Sequence, residues 1–416
     1  MNPLQARAIP AARPDTEAPA TTGPVFLLPR RRPGHLGPVN VVQLLVAEVA
    51  IVAVLAVLKL GVAVVLGTIV AGLAVLVATW ARGDGRWWLE RQLMRRHHRQ
   101  RRQAAPPVRD TDARLTALRW LAPGLSVQNV IAADSSQVGV ARDDAGWFAV
   151  AALTPTGLLR AGPTGQLRLD AVVAALAEAS QPGAAVQLVI HTVPAPSLGI
   201  DPAAPAAQSY RQLLAGFGAD PVPMDRAMWL AVRLDLHALA EAGAGPDTDV
   251  EPAPAVTAAL IRRVGKALRG IGVPYHVLDS DRLLDALVRG CDLPPAAGAG
   301  GSEAPREDWS GWQSPYLAHR SYWVRGWPAL GRTAALLSWL TTVPAASTSV
   351  ALTLTPEGDT VDLRCLFRVA APARELAQVC HAVTRQARQE GADLFPLDGE
   401  QGPAVYASAP TGGGPR

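Results

Sequence analysis

Asp279-Ser280-Asp281 follows directly on the apolar run 273–278. Two carboxylates one residue apart at a strand end can hold a divalent cation against a nucleotide-sugar diphosphate, because hard oxygen ligands suit magnesium or manganese. A membrane-anchored glycosyltransferase using Asp279 and Asp281 is therefore one reading. The other is structural and is preferred: Asp279 or Ser280 makes a good N-cap, with Asp281 in the first turn of a helix carrying Leu283, Leu284 and Leu287. His191, in Val189-Ile190-His191-Thr192-Val193-Pro194, fits a general base at a strand end, or more ordinarily a hydrogen-bonded residue at the edge of the core. Residues 318–328 are the densest aromatic stretch in a chain with only 5% aromatics. There His319, Tyr322, Trp323 and Trp327 suit a core strand with part of its surface left for a partner.

The remaining search is negative. No Gly-rich loop ends in Lys-Ser or Lys-Thr, and Lys266 lies in the middle of a helical pattern, which disfavours a P-loop ATPase. Gly298, Gly300 and Gly301 lack the strand before and helix after that a dinucleotide site needs. The eight histidines have no metal spacing, and no Gly-x-Ser-x-Gly elbow occurs. Cys291, Cys365 and Cys380 are far apart, which argues against a disulfide framework or zinc site and fits inert thiols on the reducing side of a membrane. No catalytic residue, cofactor or metal is expected.

The elements that would position these residues are unevenly charged. Residues 1–120 carry 17 Lys/Arg against 7 Asp/Glu, whereas residues 121–416 carry 22 against 28. The pI of 9.2 thus belongs to the N-terminal third, and a mildly acidic domain offers nucleic acid no broad basic surface. A basic Ala/Pro-rich tail (1–37) without hydrophobic period reads as disordered. Residues 38–81 are almost continuously apolar, too long for one span, and predict a transmembrane hairpin of two helices, 41–58 and 62–80, turning at Lys59 to Gly61. The late start and length disfavour a cleaved signal peptide.

Arg30 to Arg32 before the hairpin and Arg82, Arg86, Arg91, Arg95, Arg96, Arg99, Arg101 and Arg102 after it place both termini in the cytoplasm of a multi-pass plasma-membrane protein. Trp80, Trp87 and Trp88 suit the headgroup level. The basic helix and linker, 82–118, read either as a helix along anionic lipid or as a solvated lead into the domain. Glu48, inside the first span, is expected to be tolerated or helix-partnered, with a functional contact as the alternative.

Residues 119–416 alternate strand and helix patterns, giving a mixed α/β domain with surface loops near 242–255 and 293–305. Strands are expected at 137–141, 147–153, 186–193, 228–236, 273–278, 321–324, 349–355, 361–369 and 405–409. Helices are expected at 167–179, 206–214, 255–269, 280–289, 331–341 and 373–389. No internal repeat is evident, although 186–236 and 255–287 share a strand-with-helix grammar.

In this order the pieces resemble the EccE family, membrane components of actinobacterial type VII (ESX-type) secretion systems. The resemblance runs from about residue 33 onward. It rests on Gly34-His35-Leu36-Gly37 before the hairpin, Gly85-Arg86-Trp87-Trp88 with its basic helix, Trp147-Phe148-Ala149-Val150, residues 187–194, and Ser209-Tyr210-Arg211. Residues 228–235, Trp309, the 319–328 segment and residues 399–406 complete it. The resemblance implies a non-catalytic structural subunit of the inner-membrane complex beside EccB, the EccC ATPase and EccD, with a degenerate glycosyltransferase-like domain. Asp279-Ser280-Asp281 would then be a relic or a cap. The Ala/Pro-rich tail and loops depart from the family pattern.

Overall fold

The computed structural model describes residues 35–36, 39–59, 61–80, 82–83, 86–104, 110–132, 135–154, 169–179, 181–194, 224–236, 238–239, 253–293, 305–357 and 360–413, with isolated positions between 205 and 212. The basic tail before residue 35, the linker 105–109, most of the expected helix 206–214 and nearly all of the two low-complexity loops lie outside these residues.

Strands β1 (His35–Leu36) and β2 (Val39–Asn40) pair ahead of α1 (Val41–Ala56) and α2 (Val62–Trp80), and β3 (Arg82–Gly83) pairs with β4 (Arg86–Trp87) before α3 (Trp88–Gln103). The apolar helices form and pack on each other, with Gly72 beside Ala50. They do not make the expected transmembrane hairpin. The first stops at Ala56 after 16 residues, about 24 Å of helix, and the second has 19, about 28 Å, against a hydrocarbon thickness of about 30 Å. No helix among the described residues is long and apolar enough to cross a membrane, which removes the basis for a multi-pass protein.

α4 (Ala113–Leu118) leads into β5 (Ser126–Ile131), β6 (Gln137–Asp143), β7 (Gly146–Leu153), α5 (Leu169–Ala177), β8 (Ala184–Pro194), β9 (Met224–Asp235), α6 (Ala253–Gly270), β10 (Tyr275–Val277) and α7 (Ser280–Cys291). Then come β11 (Arg306–Glu307), β12 (Trp312–Gln313), β13 (Ala318–Gly326), α8 (Leu330–Leu340), β14 (Ser347–Glu357), β15 (Thr360–Ala371), α9 (Leu376–Gln389), β16 (Asp393–Pro396) and α10 (Gln401–Ala407). One 12-stranded sheet runs β11-β12-β13-β15-β14-β8-β9-β7-β6-β5, with β10 added to β7 and β16 to β13. Every pairing in it is antiparallel. The mixed α/β class holds, but the glycosyltransferase-like expectation finds no support: neighbouring strands run in opposite directions, without the parallel pairs that βαβ crossovers create.

The strand order is palindromic about the β8–β14 seam. β5-β6-β7-α5-β8-β9-α6-β10-α7 is followed by β11-β12-β13-α8-β14-β15-α9-β16-α10 with the same pairings, so the chain contains the internal repeat that sequence inspection missed. The equivalence extends to register and sheet face. Leu188↔Leu230 in β8–β9 corresponds to Val350↔Phe367 in β14–β15, and Val277↔Ala151 in β10–β7 corresponds to Pro396↔Tyr322 in β16–β13. Its clearest sequence trace is Gly-x5-Leu-Asp. Gly272 and Gly391, at φ +77° and +83°, each end a long helix in a left-handed turn that favours glycine, and Asp279 and Asp398 each precede the next helix.

Both sheet faces are covered, which explains strands that are apolar on consecutive residues. α5, α6, α8 and α9 bury one face around Leu230, Val264, Phe367 and Leu340. α4, α7 and α10 bury the other around Phe148, Leu287, Val405 and Tyr406. α7 sits so close to β6 that a Cβ on Gly139 would lie 2.4 Å from the backbone of Asp279. The expected strand 405–409 falls mostly in helix α10, and β5 was not foreseen.

Candidate functional site

Asp279 caps α7, its carboxylate accepting from the Arg282 amide at 2.9 Å, while the Ser280 amide donates to Asn129 Oδ1 at 2.8 Å. Asp281 and Asp285 receive the Arg114 guanidinium at 2.5 and 2.7 Å, and Asp112 receives it at 2.8 Å. The triplet's oxygens therefore meet amides and an arginine, which disfavours the cation reading of Asp279 and Asp281. Among the described residues no group of histidine, cysteine and carboxylate side chains is arranged to hold a metal ion. Asp279→Ala should cost about 1 kcal/mol, the usual worth of an N-cap. A thermal unfolding midpoint equal to wild type would refute the capping role.

Two buried arginines were not singled out from sequence. Arg233 on β9 pairs with Asp143, donates to the Thr411 carbonyl at 2.6 Å just beyond α10, and lies over the Phe148 ring at 5.6 Å. Asp143 also accepts from Tyr406 Oη at 3.0 Å. On β8, Gln187 donates to the Ala407 carbonyl at 2.7 Å and accepts from the Gly412 amide at 2.9 Å. Across the repeat, Arg368 on β15 donates to the Gly290 carbonyl at the end of α7 and to Ser349 Oγ, 3.0 Å away.

Each repeat thus sends a buried cation to the chain at or just beyond the last helix of the other, where orphan carbonyls and the negative end of the helix dipole favour it. The available signal was an arginine inside an apolar strand, as in Leu230-Ala231-Val232-Arg233-Leu234 and Phe367-Arg368-Val369.

His191 joins this centre, its Nδ1 2.8 Å from Ser349 Oγ, and His319 lies with Nε2 3.0 Å from Asp292 Oδ2. Burial, then the Arg368 and Arg289 charges, push His191 down to about 3. Burial also lowers His319 despite Asp292. His191 is therefore neutral in the fold, and as pH falls the unfolded chain takes up its proton first, near the ordinary histidine value of about 6.5. His191's contribution is fully present above that value and declines from there towards pH 3, with a slope reaching about 1.4 kcal/mol per pH unit. Urea midpoints measured through this range should fall less steeply for His191→Gln than for wild type; parallel curves would remove His191 from the account.

Within the aromatic segment, His319 and Tyr322 are buried, Tyr322 stacking on Phe367 at 6.3 Å, whereas Trp323 and Trp327 are half-buried. In the N-terminal part, Glu48 and Lys59 are exposed on α1 and in the turn after it. Trp80 ends α2, Arg86 and Trp87 form β4, and Trp88 opens α3. The structure does not gather these residues with the 319–327 segment into one site.

Instead it shows a contact that spacing alone concealed. Glu307, 8% exposed at its side chain, receives the Arg101 guanidinium of α3 through two bonds of 3.0 Å and the Gly402 amide at 3.0 Å. Arg101 also donates to the Gly399 carbonyl. Alongside, the His98 ring meets the Trp309 ring edge-on at 5.6 Å and Arg95 lies over that indole at 6.0 Å. Arg91 is half-buried and Arg96 exposed on the same helix. The basic helix that follows the apolar pair and the β3–β4 hairpin is thus clasped to the β11–β12 edge of the sheet.

No curated protein matches the chain. Residues 222–324, from the start of β9 into β13 and including Glu307 and Trp309, match the family model described as "Putative type VII ESX secretion system translocon, EccE". The match spans 103 of the 416 residues, about a quarter of the chain, and through this segment the chain is similar to the EccE family.

Proposed function

We propose that the protein is a non-catalytic structural subunit of a type VII secretion complex at the bacterial plasma membrane, supporting assembly and export beside EccB, the EccC ATPase and EccD. The observation that carries this reading is the Glu307–Arg101 clasp, which joins the sheet domain to an apolar helix pair through a residue inside the matched segment. Leu45, Val49, Ile51, Leu55, Leu66 and Val70 of that pair are all more than half exposed. Apolar surface on this scale marks a site of association. Exposed Arg95, Arg96 and Arg99 on α3 supply a cationic face for lipid phosphate or acidic partners. The half-buried Trp323 and Trp327 extend the surface open to partners.

Mild-detergent extraction of native membranes, native-gel sizing and mass spectrometry test the assignment. Co-migration with an ATPase and a many-span protein is the expected result. A lone monomer or dimer, under conditions that keep other complexes whole, would reject it.

A further inference from the structure

A cleft of about 500 Å³ opens between α9, the β11–β12 edge, β13 and β16. Its floor is apolar, with Tyr322 and Leu394, and Asp308 stands at its β11–β12 side. Along one rim α9 presents His381 and Arg388, spaced two turns apart and exposed, without a side-chain partner among the described residues. Arg320 stands on β13, held 2.9 Å from Asp398.

The internal repeat makes this opening informative. At the equivalent place in the first repeat α6 lies against β5, β6 and β7, Tyr275 packs so tightly on Gly265 that a Cβ there would lie 2.4 Å from its ring, and Arg269 covers that ring at 5.5 Å. Where the first repeat is packed shut, the second has a cleft with the Arg388 guanidinium and the His381 imidazole on its rim.

We propose that this cleft docks a short acidic peptide segment of a partner protein, carboxylates on Arg388 and His381 and an apolar side chain against Tyr322 and Leu394. A guanidinium and an imidazole donor on the rim and an apolar floor are complementary to a chain that alternates acidic and apolar residues. The proposal extends the subunit reading by naming one partner surface and its chemistry.

The test uses the full chain and a fluorescent peptide of alternating glutamate and leucine, with its glutamine counterpart. The acidic peptide should bind and weaken as salt is raised. His381→Glu/Arg388→Glu should weaken it about tenfold or more. Arg385→Glu, exposed on α9 away from the cleft, should change it less than about twofold.

Equal binding of the glutamine peptide, no binding of either, or undiminished binding to the double variant overturns the proposal. So does full competition by inorganic phosphate, which would mean a small-anion site, or a dimer abolished by the double variant, which would mean a second copy. Native-gel migration of the wild-type chain tests the subunit reading separately: peptide binding by a chain that migrates alone refutes that reading and leaves the cleft standing, and the converse refutes only the cleft.

Discussion

Arg233→Met lowers the unfolding free energy of the protein by about 3–5 kcal/mol, the usual cost of breaking a buried ion pair from one side. The cost arises in what remains. Asp143, 3% exposed at its side chain, keeps the Ala145 and Gly146 amides at 2.9 and 3.1 Å and the Tyr406 hydroxyl, but loses its only cation among the described residues. The Thr411 carbonyl loses its donor as well. Arg282→Ala, removing an exposed guanidinium 3.8 Å from Asp279, should stay within about 0.5 kcal/mol. Denaturant titrations of the two variants decide the matter: similar midpoints would mean that the Arg233 centre adds nothing beyond a surface charge.

Arg101→Ala releases α3. Two charge-assisted bonds to a mostly buried carboxylate disappear, and Glu307 is left with the Gly402 amide and His98. Hydrogen bonds to charged groups contribute about 1.5–3 kcal/mol each, so a loss of about 2–4 kcal/mol at the clasp is expected, part of it recovered as Arg101 becomes hydrated. Hydrogen exchange should show α3 amides losing protection by a large factor while β8, β9, β14 and β15 keep theirs. Uniform loss across the sheet, or none anywhere, would contradict a local clasp.

The strands of the sheet centre were legible because Val186 to Val193 and Val361 to Val369 are rich in β-branched and apolar residues at the right length. β5 was hidden: Ser126-Val127-Gln128-Asn129-Val130-Ile131 lies at a sheet edge and shows no period of two. In α10, the run Ala404-Val405-Tyr406-Ala407 looked extended, yet Pro403 in the first turn is compatible with a helix, and tertiary burial of Val405 and Tyr406 decides the outcome.

The apolar pair was visible but its helix lengths were not, since composition does not say where a helix ends. The candidate site was least legible. Glu307 looks like one more loop acid until α3 is folded against it, and the repeat leaves so little sequence trace because register and burial constrain polarity at each position rather than residue identity.

The palindromic sheet also bears on what the recognisable stretch of this chain is. Residues 222–324 begin in β9 of one half and end in β13 of the other, and in the sheet those strands are separated by β8, β14 and β15, all supplied from outside the stretch. Excised, it would hold β9 without either of its neighbours along the sheet and β13 without β15. The stretch is thus no module, and it cannot be transplanted or expressed as an autonomous unit. Its identity is that of a joint, and the smallest heritable piece able to carry the fold is the pair of halves on either side of it.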